Sequence, residues 1–204
     1  MGLAGYRRSI SETKRAAILK AARENFLTGG YSGAAMAEIA READVSTATL
    51  YKHFASKDAL FSAVVQAAYA DSELAMLLDI EGLSARTVLE TIGNVYVRQQ
   101  FDGRMNDLLR VVIAEVPSAP ELAQDVFRNG VTARYLQFRN IVDALVERGD
   151  LKPHDTEAGV RYLGGMIKEF VVWPALFKRD FRKPDDMDQK ITSVIDAYLK
   201  IYQA

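Results

Sequence analysis

Residues 46–54 read STATLYKHF, which places the hydroxyls of Thr47 and Thr49, the phenol of Tyr51, the ammonium of Lys52 and the imidazole of His53 within about two helical turns. Groups of this kind bond phosphate oxygens and the edges of bases; they do not by themselves activate a nucleophile. The rest of the sequence offers no competing chemistry. It has no cysteine and only two histidines, His53 and His154, so no metal site is expected. There is no Gly-rich phosphate loop, and Gly164-Gly165 sits in an apolar helical run where close helix packing accounts for it. No nucleophile stands beside a base. A binding protein is expected, with no catalytic residue and no cofactor.

Helices must position these groups, because helical periodicity runs along almost the whole chain and strand-like alternation is missing. Ser11, with Glu12 in the first turn, predicts the start of a helix whose apolar stripe is Ile18, Ala21, Ala22 and Phe26 and whose end is Gly29-Gly30. Short helices are predicted over about 35–43 and 46–54, the second capped by Ser46. Ser56 caps a long helix over 57–78, and Ser84 caps one reaching about 100. After the break at Asp102-Gly103 comes the apolar run 108–116. Ser118-Ala119-Pro120-Glu121 matches a capping box, with Pro120 in the first turn where its missing amide hydrogen does no harm. Val126, Phe127, Val131, Tyr135, Phe138, Val142 and Leu145 carry that pattern to Gly149, with a break expected at Gly130. Asp155 opens the next helix and Pro184-Asp185 the last.

The two short helices around Asp44 have helix-turn-helix spacing. Ala40 is small where the helices must approach, Asp44 sits where the turn tends toward positive φ, and Leu50 is apolar where it can seal a small core with Ile39, Val45 and Phe54. With its inner face spent on packing, the second helix presents Thr47, Ala48, Thr49, Tyr51, Lys52 and His53 outward, in a size that fits the major groove of B-DNA. The run "AAILKAARENFLTGGYSGAAMAEIAREADVSTATLYKHFASKDAL", residues 16–60, resembles the TetR family of bacterial transcriptional repressors, through Gly30-Tyr31, Ile39-Ala40, Val45-Ser46, Leu50-Tyr51, His53-Phe54 and Ser56-Lys57. Later stretches, "EVPSAPEL" and "GGMIKEFVVWPALF", are similar to that family in style only. The resemblance implies that Tyr51, His53 and Lys57 hold phosphates, that Thr47, Ala48 and Lys52 face bases, and that Leu50 and Phe54 are core. Two positions depart from the family pattern. Asp44 stands where Gly is usual, and Ala35 where a Thr or Ser would cap the helix and touch a phosphate. Arg7 and Arg8 are expected on a flexible basic arm of the kind that reaches an adjacent minor groove.

The 204 residues, 49% hydrophobic and 26% charged, suffice for one or two domains without metals or disulfides. Net charge is −1, but residues 1–60 carry +3 and residues 61–204 carry −4, so one end suits an anionic polymer. Apolar stretches stop well short of a membrane span and the N-terminus has no signal-peptide pattern; no membrane association and a cytoplasmic location are expected. The expected fold class is all-α, about nine helices. A three-helix helix-turn-helix DNA-binding domain occupies 1–56 (motif about 36–55), and a helical effector-binding and dimerisation domain occupies 57–204. The alternative is an all-α small-molecule-binding protein or enzyme indifferent to DNA.

One helix-turn-helix makes too few contacts for tight specific binding, so a homodimer reading two half-sites of double-stranded DNA is expected. Its seam is expected on the last two helices, through Val160, Leu163, Ile167, Phe170, Val171, Pro174 and Phe177 with Ile191, Val194, Ile195, Tyr198 and Tyr202, as a four-helix bundle. Pro174 should kink its helix. Candidate lining for a mostly apolar effector pocket is Tyr96, Gln99, Arg110, Phe138, Tyr162, Phe170 and Trp173. Arg110, flanked by apolar residues, requires an acid, an anionic ligand or solvent as partner. The function expected is a ligand-responsive regulator, a repressor released from a palindromic operator by a small effector.

Overall fold

A computed structural model of the chain describes residues 3–69 and 80–204. Among these residues the chain is all-α, with one isolated antiparallel bridge between Leu151 and Gln203. The elements are α1 (Leu3–Gly33), α2 (Met36–Glu42), α3 (Thr47–His53), α4 (Lys57–Tyr69), α5 (Ala85–Phe101), α6 (Met105–Glu115), α7 (Pro120–Val126), a π-helical segment (Phe127–Thr132), α8 (Ala133–Glu147), α9 (Thr156–Val171), α10 (Trp173–Phe177) and α11 (Met187–Tyr202). The expected continuation of α4 over 70–78 lies outside the described residues.

Four predicted caps are formed. The side chains of Ser46, Ser56, Ser84 and Asp155 accept the amides of Thr49, Ala59, Thr87 and Ala158, each at 3.1 Å. Each satisfies an amide that the first helical turn leaves without a carbonyl.

Other expectations are corrected. α1 begins at Leu3, so Ser11 lies inside it and Arg7 and Arg8 stand on helical backbone rather than on an arm. A cap favours a start without forcing one, and no proline interrupts the chain upstream. Gly30, at φ 72° and ψ 176°, breaks the helix where the Gly-Gly pair predicts it. The capping box at Ser118 is not made: Ala119 is the N-cap of α7, with no side-chain bond, and the Ser118 hydroxyl donates to Glu115 Oε2 at 2.7 Å. A carboxylate is the stronger acceptor and draws the hydroxyl away. At Gly130 the chain does not break but widens into the π-helical segment. Pro174 does interrupt its helix: α9 ends at Val171, and Pro174 sits in the first turn of α10.

The chain divides into two compact units, one of Met1–Ala68 with Asp107–Gly130 and one of Tyr69–Asn106 with Val131–Ala204. In the first, Ile18, Phe26, Ile39, Leu50, Leu60 and Phe61 are fully buried. Phe26, Tyr31 and Phe61 form an aromatic triad with centroids 4.8, 5.5 and 5.9 Å apart. Complete burial of such side chains contributes about 1.5–3 kcal/mol each. In the second unit, α5, α8, α9 and α11 bury Val88, Leu89, Val95, Val142, Leu145, Leu163, Ile167, Ile195 and Tyr198. At Gly159 a Cβ would stand 2.7 Å from His154 Nε2 and 2.8 Å from the Tyr198 hydroxyl, so any larger residue there would make these side chains shift.

Candidate nucleic-acid interface

The angle of the polar helix α3 is set from beneath. Ala40 and Ile39 of α2 and Leu50 and Phe54 of α3 and its C-cap are all buried, as the small core predicted from their spacing requires. Val45 is half-buried, and its amide donates to the Ala40 carbonyl at 3.0 Å. Between the helices Asp44 adopts φ 53°, the left-handed conformation that the turn demands and that Asp tolerates better than most residues. Phe54, at the C-cap of α3, is covered by the guanidinium of Arg15, 4.5 Å from its ring centroid. That stacking, absent from the sequence reading, places a cation from α1 at the C-terminal end of α3.

With Leu50 inward, Thr47, Ala48, Tyr51 and Lys52 are exposed, and Thr49 and His53 are half-buried. Tyr51 keeps 49% of its surface accessible, a large ring with no packing reason to be outside. Thr49 is the most committed member of the row: its amide is capped by Ser46 Oγ, and the two hydroxyls stand 2.9 Å apart. The first turn of α2 departs as predicted. Ala35 is its N-cap and supplies no side-chain bond.

Lys57 is placed differently from the other six. Its ammonium donates to the carbonyls of Tyr31, Ser32 and Ala34 at 2.9, 3.4 and 3.1 Å and lies 4.5 Å from the Tyr31 ring centroid. It therefore closes the C-terminal end of α1, where carbonyls lack helical partners. The neighbouring Tyr31 hydroxyl donates to Asp58; burial first, then that bond, holds the phenol well above its ordinary pKa. Ser32 in turn donates to both Glu115 oxygens at 3.1 Å. The separation of 83 positions between these partners leaves no local signal from which the sequence could have shown the link.

The candidate pocket residues divide between the two units. Arg110 belongs to the first unit and pairs with Asp107 one turn before it, which answers its need for a counter-charge. Tyr96, Gln99, Phe138, Tyr162, Phe170 and Trp173 belong to the second. There Gln99 and Phe138 are buried, Tyr96 and Phe170 half-buried, and Tyr162 and Trp173 stand 60% and 56% exposed, on the surface of the unit rather than in its interior. The expected dimer seam is corrected at eight positions. Val160, Leu163, Ile167, Val171, Ile191, Val194, Ile195 and Tyr198 are already buried within the single chain. Phe177 of the expected seam is exposed, at 83%, and α9, α10 and α11 also expose Tyr162, Trp173 and Ile201, the last at 61%. Among the described residues there is no metal-ligand cluster, and no helix is long and apolar enough to cross a membrane.

A seven-residue polar helix packed on a second short helix across a turn at Asp44, with Ala40 and Leu50 buried, defines a helix-turn-helix DNA-binding regulator. Comparison with known proteins carries this further. Residues 18–64 match the family described as "Bacterial regulatory proteins, tetR family", and residues 87–204, more than half the chain, match "AefR-like transcriptional repressor, C-terminal domain". The chain belongs to the TetR family of transcriptional regulators. It is 42% identical over 55 residues to the HTH-type transcriptional regulator UidR of Escherichia coli, covering 27% of this chain and 28% of that one. It is 47% identical over 55 residues to the HTH-type transcriptional activator FasR of Mycolicibacterium smegmatis, covering 27% and 25%. The matched stretch thus spans about a quarter of either relative's length. Over nearly the whole chain the fold resembles a TetR-family regulator from Mesorhizobium loti, with a TM-score of 0.80 and 25% identity over 95% of this chain and 98% of that one.

Proposed function

We propose that the protein is a ligand-responsive repressor that binds a partly palindromic operator as a homodimer and is released by a small, largely apolar effector. The observation that carries the reading is the outward row on α3, from Thr47 to His53, held at a fixed angle by the buried Ala40 and Leu50. In this reading Thr47, Ala48 and Lys52 meet base edges, Tyr51 and His53 hold phosphates, and Thr49 and Lys57 complete the contact surface. Residues 1–56 bind DNA and 57–204 regulate it, in the cytoplasm. Tyr162, Trp173, Phe177 and Ile201 support dimerisation, since exposed apolar side chains on adjoining helices gain by being covered by a second copy.

Effector binding shifts α4, changes the separation of the two α3 helices and lowers operator affinity. A ligand does this only through different affinities for the two states, and full release requires several kcal/mol of difference. Repression is favoured over activation by the AefR-like repressor match across the C-terminal part. The test is footprinting on operator fragments selected from random DNA. Protection of two half-sites about one helical turn apart is expected, lost when Tyr51 and Lys52 are both alanine. Equal binding of every duplex, vanishing with salt, would replace this reading with nonspecific binding.

A further inference from the structure

Among its described residues the second unit contains more hydrogen-bonding capacity than its own side chains use. Tyr96, Gln99 and Gln100 share one face of α5, because residues three and four apart are neighbours on a helix. Gln99 and Gln100 are only 3% and 2% exposed. The Gln99 carboxamide donates to the main-chain carbonyl of Tyr69 at 3.0 Å, while among the described residues its Oε1 and the buried Oε1 of Gln100 meet no donor. Tyr135 lies near enough to raise the pKa values of Tyr69 and Tyr96, Tyr69 likewise raises that of Tyr96, and the buried Arg134 acts on Tyr69 in the opposite sense. Burial is the largest cause of the raised pKa values of Tyr69, pushed up to about 12, and of Tyr96. These phenols remain neutral near pH 7, able both to donate and to accept.

A buried carbonyl oxygen with no donor costs free energy that an apolar side chain of similar volume would avoid. Two such interior oxygens on one face of α5, one turn on from Tyr96, are acceptors that a hydrogen-bond donor mounted on a flat apolar frame would satisfy. We infer that this face of α5 recognises an aromatic effector bearing a hydroxyl or N–H group, whose donor is taken by the carboxamide oxygens of Gln99 and Gln100. The inference rests on the reading that the helical body binds an effector, and it narrows that effector from largely apolar to donor-bearing.

A matched pair of probes separates the two levels. 2-Naphthol and 2-methoxynaphthalene share a frame, but the methoxy oxygen has no proton to donate. In equilibrium dialysis against the full chain, 2-naphthol should bind about tenfold more tightly, the ratio expected for supplying one missing donor. Gln99→Leu or Gln100→Leu, each checked for folding by circular dichroism, should bring the two probes within about threefold. Equal binding by the wild-type chain overturns donor recognition and leaves the effector reading standing; so does a tenfold preference that persists in both folded variants. A resident water that satisfies the oxygens also predicts equal binding. Binding of neither probe overturns the inference outright, and the operator footprints then decide the effector reading separately. The wild-type comparison needs no variant and holds even if a leucine variant does not fold.

Discussion

Asp44 turns the chain at φ 53°, where the Cβ of an L residue crowds its own backbone. Glycine has no Cβ to crowd, although it has more freedom to lose on folding. Asp44→Gly is therefore expected to stabilise the protein by about 0.5 kcal/mol, and Asp44→Val to destabilise it by about 1–2 kcal/mol, read as midpoints of urea unfolding. On α3 the prediction is about binding. Lys52→Ala should weaken specific binding and reduce the dependence of log affinity on log salt by about one, while Tyr51→Phe should cost up to tenfold without changing that slope. Fluorescence anisotropy over a salt series measures both. The residue types of this row were legible in the sequence because α3 is short and local. The Arg15 cover over Phe54 was not, since α1 and α3 meet only after folding.

Helix ends decide how firmly the DNA-reading elements are held. α2 starts at Ala35 with no side-chain acceptor, so Ala35→Ser should stabilise the protein by about 1 kcal/mol and place a hydroxyl where a phosphate contact is otherwise missing. Lys57 allows a sharper distinction. Its ammonium sits on three carbonyls at the end of α1, and in that role Lys57→Met lowers thermal stability and leaves the salt slope of DNA binding unchanged. A phosphate-binding role gives the reverse: a slope smaller by about one at nearly constant stability. Thermal unfolding and the salt series on one purified variant assign the role. Periodicity and caps predicted most helices because both are local. Ser118 misled because its hydroxyl had a carboxylate, Glu115, within reach as well as an amide.

At the scale of the whole molecule, the apolar faces of the last helices serve two purposes that a periodicity plot superimposes. One stripe, with Leu163, Ile167 and Ile195, fills the core of the second unit; another set, with Tyr162, Trp173, Phe177 and Ile201, is left outside. Trp173→Glu with Phe177→Asp is expected to yield a folded monomer in light scattering, with operator affinity reduced by 10²-fold or more, on the order of 3 kcal/mol, as the second half-site is lost. A dimer that survives this double change would place the seam elsewhere.

From the sequence alone came the all-α class, the helix-turn-helix spacing of Ala40, Asp44 and Leu50, the outward row on α3 and the capped starts of α3, α4, α5 and α9. Each depends on residues within a few turns of one another, where steric fit and hydrogen bonding are written in spacing. Folding alone decided which of two apolar stripes becomes core, that Lys57 turns onto the carbonyls of α1, that Ser32 meets Glu115, and that Gln99 and Gln100 are buried beside tyrosines. Those outcomes depend on which distant helix arrives alongside, and no local pattern encodes the arrival.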